Sequence, residues 1–125
     1  MRRVVVEEPQ PLARVEATRG DGAIVVRVEG EIDLSNAEQV RAAILHEVAD
    51  DPEGLVLDLS GARYLDSAGI RLLFDLGERF ATHRIELRLV VPSDGLVHRV
   101  LQLTGVMRQM PVHETVADAL ASTTT

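Results

Sequence analysis

The stretch LVLDLSGARYLDSAGIRLL, residues 55 to 73, decides the fold: an apolar strand over 55–60 runs into a loop, and an amphipathic helix opens at Ser67. Leu55, Leu57 and Leu59 alternate with Asp58, whereas Ile70, Leu72 and Leu73 follow a helical spacing. Ser67 stands between Asp66 and the small pair Ala68-Gly69, at the mouth of that helix. The first turn of a helix carries unpaired N–H groups and about half a positive charge, so it tolerates an anion such as a phosphate. Ser67 is therefore a candidate switch residue. Asp66 or Ser67 can equally serve as an N-cap, a role contributing about 1 kcal/mol.

Working outward, ARVEAT (13–18) and AIVVRVEG (23–30) alternate like strands, and Arg19-Gly20-Asp21-Gly22 between them carries hairpin turn chemistry. Ser35 and Glu38 spell a capping box before Val40, Ile44 and Val48, which predicts a helix ending near Ala49; Asp51-Pro52-Glu53-Gly54 stops it. After the helix from Ser67 to about Thr82 come a strand over 85–91 and a helix over 95–103, with Gly105 as its stop. A short strand near 110–113 and a helix over 114–121 complete the domain. The expected fold class is α/β. It is a single domain over 12–121, with a mixed, mostly parallel sheet of four to five strands in sequential order 1-2-3-4-5. The first strand is antiparallel, and about four helices lie mainly on one face. Residues 1–11 read as a flexible N-terminal extension and 122–125 as a disordered tail.

Asp58, Glu86 and Arg88 interrupt the apolar positions of the central strands, and Arg27 and Glu29 do the same in the second. One sheet face is thus expected to be dry and the other solvated, with Asp58 between Arg27 and Arg88.

Composition narrows the function. The 125 residues carry a net charge of -7, and all 13 basic residues are arginine. The lysine of phosphate-binding loops, Schiff-base enzymes and receiver domains is therefore missing. With an acidic balance and only Tyr64, Phe74 and Phe80 as aromatics, nucleic acid is a poor partner and a protein a better one. No apolar run is long enough to span a membrane, and a cytoplasmic location is expected. The absence of cysteine excludes thiolate chemistry. His46, His83, His98 and His113 lack metal-ligand spacing, and Leu65 stands where a nucleophile elbow requires glycine, which argues against a small serine hydrolase.

Three motifs resemble one family. Gly30-Glu31-Ile32-Asp33-Leu34 is similar to its G-E-x-D loop, Asp66, Ser67 and Gly69 to its D-S-x-G phosphorylation segment, and Leu103-Thr104-Gly105-Val106 to the turn after its third helix. The family is that of STAS domains, in particular the anti-sigma factor antagonists of bacteria, and the likeness runs from about Val15 to Ala121. The resemblance implies phosphorylation at Ser67 and a partner-binding surface of Asp33, Leu34, Ser35, Tyr64, Leu65, Asp66, Ser67, Ala68 and Gly69. The implied partners are an anti-sigma factor that is a serine kinase and a phosphatase that resets phospho-Ser67. ATP and Mg²⁺ come from the kinase, so the protein needs no cofactor and no metal of its own. It is implied to be a monomer or weak homodimer with no catalytic residues, bound to neither nucleic acid nor membrane. Ser60, at the end of the preceding strand, is a second hydroxyl to consider. The alternative that the resemblance leaves open for this chain is a scaffold subunit of a stress-sensing assembly or an accessory subunit of a transporter.

Overall fold

A computed structural model describes residues 12–20, 23–48 and 53–121. The proposed extension 1–11, the tail 122–125, Asp21-Gly22 of the hairpin turn, and Ala49 with Asp51-Pro52 of the helix stop lie outside the described residues. Among those described there are six strands and five helices. They are β1 (Ala13–Arg19), β2 (Ala23–Ile32), α1 (Ala37–Glu47), β3 (Gly54–Asp58), β4 (Ala62–Leu65), α2 (Ser67–Thr82), β5 (Glu86–Val90), α3 (Leu96–Thr104), α4 (Val106–Gln109), β6 (Val112–His113) and α5 (Val116–Ala121).

The sheet runs β1-β2-β3-β5-β6, with β1 antiparallel to β2 and the other pairs parallel, as the alternation of strands and helices implied. One strand was not anticipated. β4 lies within the segment read as a loop and pairs with the far end of β2, Glu31 opposite Tyr64 and Ile32 opposite Leu65. Four residues with Arg63 and Tyr64 exposed carry too little period to be read from sequence. The pairing is possible because β2 runs two residues past the expected Gly30 and shifts register there, where Gly30 adopts φ 106°.

Ile24, Val26 and Val28 of β2, Leu55 and Leu57 of β3, and Leu87 and Leu89 of β5 form the expected dry face. Val40 and Ile44 of α1, Leu73, Leu76 and Phe80 of α2, and Leu101 of α3 pack on it. The opposite face departs from expectation. Val56 and Val90 are buried there under Ala119 of α5, with Val25 and Val116 packed alongside. Asp58 and Arg88 are consequently 5% and 4% exposed rather than solvated. Each is charge-paired: Asp58 Oδ2 lies 3.3 Å from Arg27 Nη1, and Arg88 Nη2 lies 2.6 Å from Glu86 Oε1. Val25, Val56 and Val90 occupy the nominally wet positions, and that triplet was the overlooked sign of a helix on this side.

Two helix starts also differ. Ser35 does not close a capping box with Glu38: its backbone N–H, which Glu38 would accept from in such a box, donates instead to Asp33 Oδ1 at 2.8 Å, and Asn36 becomes the residue preceding α1. Glu114 is not in the last helix. Its carboxylate accepts from the backbone N–H and hydroxyl of Ser93, and Thr115 Oγ1 accepts from Asp118 N at the start of α5.

Candidate functional site

α2 begins where β4 ends, and Asp66 makes the junction. Its backbone is extended (φ -96°, ψ -168°), and its Oδ1 accepts from Ala68 N at 2.8 Å and Gly69 N at 3.1 Å, so aspartate rather than serine is the N-cap. Its second oxygen reaches across the chain, accepting from Leu34 N at 3.1 Å, while its own N–H donates to Ile32 O at 3.2 Å. One residue therefore ties the end of β2, the loop 33–36 and the first turn of α2. Gly69 permits the approach: a Cβ there would stand 3.1 Å from Ile32 O and 3.1 Å from Leu65 Cδ2.

The loop is ordered from within. Asn36, only 8% exposed, accepts from Asp33 N through Oδ1 and donates to Glu31 O through Nδ2, both at 2.9 Å. Asp33 Oδ1 accepts from Ser35 N at 2.8 Å as well as from the Ser35 hydroxyl. These bonds from Ser35 hold the Asp33 carboxyl below the ordinary carboxylate range. Asn36 was missed at the sequence level. Its signal was an amide three residues after Asp33, a spacing suited to a side-chain-locked turn.

Leu34, Ser35, Tyr64 and Ser67 are exposed, and Asp33, Asp66 and Ala68 are half-buried. Leu65 and Gly69, expected at the surface, lie beneath it and shape it from below. Among the described residues the Ser67 hydroxyl has no hydrogen-bond partner. Ser60 differs: its hydroxyl accepts from Arg27 Nη1 at 3.0 Å and its backbone N–H donates to Asp58 Oδ1 at 2.9 Å. His83 caps the far end of α2, about 24 Å from Ser67 over 16 residues. No group of three or more metal-ligating side chains forms among the described residues.

The family model of the STAS domain matches residues 14–119. The chain belongs to the STAS domain family. Among its relatives, the anti-sigma-F factor antagonist RsfB of Mycobacterium tuberculosis is 33% identical over 100 residues, 80% of each chain. RsfA of the same species, also named an anti-sigma-F factor antagonist, is 30% identical over 105 residues, covering 82% of this chain and 81% of its own. The crystal structure of an anti-sigma factor antagonist from Mycobacterium paratuberculosis superposes with a TM-score of 0.79 at 33% identity, over 88% of this STAS domain chain and 92% of that one. Unphosphorylated SpoIIAA shares the fold, with a TM-score of 0.68 at 22% identity over 86% and 93% of the two chains. The likeness read from the G-E-x-D and D-S-x-G segments is thus borne out at the level of the family. No helix of this STAS domain, among the described residues, is long and apolar enough to cross a membrane.

Proposed function

We propose that this STAS domain is an anti-sigma factor antagonist that works by partner switching in the cytoplasm. Unmodified, it binds an anti-sigma factor with serine kinase activity and so frees a sigma factor for transcription. The kinase then modifies Ser67: its catalytic base takes the hydroxyl proton, the Ser67 Oγ–P bond forms, and the bond from the γ-phosphorus of ATP to the leaving ADP breaks. The complex then dissociates, and a phosphatase restores the hydroxyl. The protein is substrate and regulator, with ATP and Mg²⁺ held by the kinase.

The observation that carries this reading is the exposed Ser67 hydroxyl, unpartnered at the start of α2 and adjacent to the carboxylate that holds the loop 33–36. A phosphate there brings about -1.5 to -2 charges. The N–H groups of Ala68 and Gly69 already serve Asp66, so the phosphate adds to that carboxylate and does not replace it. With Asp33 nearby in the same loop, the docking surface becomes densely anionic. Like charges juxtaposed at an interface cost several kcal/mol, and 3 kcal/mol is about a hundredfold in affinity. Because the Ser67 hydroxyl makes no hydrogen bond among the described residues, the modification breaks none there and the fold should survive it.

The test is incubation with anti-sigma factor kinases of the same organism and ATP, followed by mass mapping and affinity measurement. One phosphate on Ser67 is expected, with none on Ser67→Ala. Ser67→Ala should bind as tightly as wild type and Ser67→Glu far more weakly; equal affinity of Ser67→Glu and wild type would sink the electrostatic switch.

A further inference from the structure

Leu34 is the most exposed large hydrophobic residue among those described, 83% open to solvent. Single exposed leucines are ordinary, and Leu103, 80% exposed on α3, is an example. Leu34 differs in how firmly the backbone around it is held. Its own N–H is fixed by Asp66 Oδ2, Asp33 N by Asn36 Oδ1, and Ser35 by both of its bonds to Asp33. Asn36 is in turn anchored to Glu31 O. This framework orders a loop whose central side chain buries almost nothing within the domain. An apolar side chain carried on a backbone that is already fixed requires no loop ordering on association, a property that favours concentrating binding energy in a few anchor residues.

We propose that Leu34 is the anchor of the docking surface, inserting into an apolar socket on the anti-sigma factor, and that Asp66 is its positioning residue. The carboxylates of Asp33 and Asp66 beside it already accept from Ser35 and from Leu34 N, so the contact offered to the partner is the apolar side chain itself. The proposal rests on the partner-switching reading above and names the contact that reading leaves open. It also explains why Asp66 uses both oxygens: Oδ1 caps the helix that carries Ser67, while Oδ2 holds the anchor.

Asp66→Asn separates those two tasks. The amide oxygen still accepts from the first turn of α2, but the amide nitrogen cannot accept from Leu34 N. Calorimetry with the purified anti-sigma factor kinase should compare wild type, Leu34→Ala, Leu34→Met, Asp66→Asn and the double variant Leu34→Ala/Asp66→Asn, each with native circular dichroism. Leu34→Ala should weaken binding at least tenfold, and Leu34→Met should stay within about threefold of wild type. Asp66→Asn should weaken binding markedly alone yet add little in the Leu34→Ala background. With Leu34→Ala as kinase substrate, KM should rise and kcat stay unchanged.

Wild-type affinity in Leu34→Ala, alongside lost binding in Ser67→Glu, would remove the anchor and leave partner switching intact. Strictly additive effects would overturn the positioning role of Asp66. If no anti-sigma factor binds the wild type, both readings fall together.

Discussion

Arg27 on β2 and Asp58 on β3 are direct partners in the parallel ladder, and their side chains close an ion pair at 3.3 Å across the sheet face that α5 covers in part. The Asp58 side chain is 7% exposed and that of Arg27 39%, so the pair sits at the margin of the covered region. Arg27 also holds Glu29 at 2.8 Å and the Ser60 hydroxyl, and the bond to Glu29 followed by the Asp58 charge raises its pKa. Asp58 Oδ1 accepts from Ser60 N and so forms the turn that leads from β3 into β4.

Removing that carboxylate leaves Ser60 N and a partly buried guanidinium short of an acceptor. Asp58→Ala should therefore cost about 1–3 kcal/mol, and Asp58→Asn, which keeps one acceptor for Ser60, should cost less. Urea titration is the check, with the midpoint falling and the slope unchanged.

Gly30 adopts φ 106° at the register shift of β2, and a Cβ there would collide with the carbonyl oxygen of Leu12. A side chain forced into such backbone space costs about 1–3 kcal/mol before the collision is counted. Gly30→Ala should lower the thermal midpoint by more than any single truncation of an exposed residue. β1 and β4 flank this point, so exchange protection should fall in both.

The exit from α2 contains an avoidable strain. Arg84 has φ 60°, with Ile85 N donating to Phe80 O and Arg84 N to Ala81 O, the bond pair of a Schellman ending. Glycine is the residue suited to that position, and left-handed backbone costs an L-residue about 1–2 kcal/mol. After the extra chain entropy of glycine is subtracted, Arg84→Gly should stabilise the domain by up to about 1 kcal/mol. Calorimetry would register this as a higher midpoint with partner affinity unchanged.

The Ser35 hydroxyl and backbone N–H lower the Asp33 pKa. A carboxyl whose folded pKa is depressed contributes stability above its unfolded value, near 3.9, and loses it as pH falls through the folded value. Ser35→Ala should return the Asp33 titration toward the ordinary range in carboxyl-detected NMR, with the change confined to pH values below about 4. An unshifted titration in Ser35→Ala would show that the hydroxyl is not the cause.

Much of this domain is legible as pattern because burial acts locally. The dry face of the sheet, the order of its strands and the start of α2 follow from apolar spacing, turn residues and the Asp66-Ser67 pair, each interpretable within a dozen neighbours. The family segments around Asp33 and Ser67 are likewise contiguous in the chain.

Other features arise from groups far apart in sequence, and local pattern is silent about those. Whether Asp58 meets water or Arg27 depends on α5, about sixty residues downstream, arriving over Val56 and Val90. Ser35 spells a capping box until Asp33, folded back beside it, accepts from its backbone N–H. The bond from Leu34 N to Asp66 Oδ2 spans 32 residues and exists only because β4 pairs with the end of β2. The chain alone thus specified which surfaces must leave water, since hydrophobicity belongs to each residue. Which polar atoms find one another, and hence how the loop beside Ser67 is held, was settled by the packed fold, because a hydrogen bond depends on positions that distant segments set together.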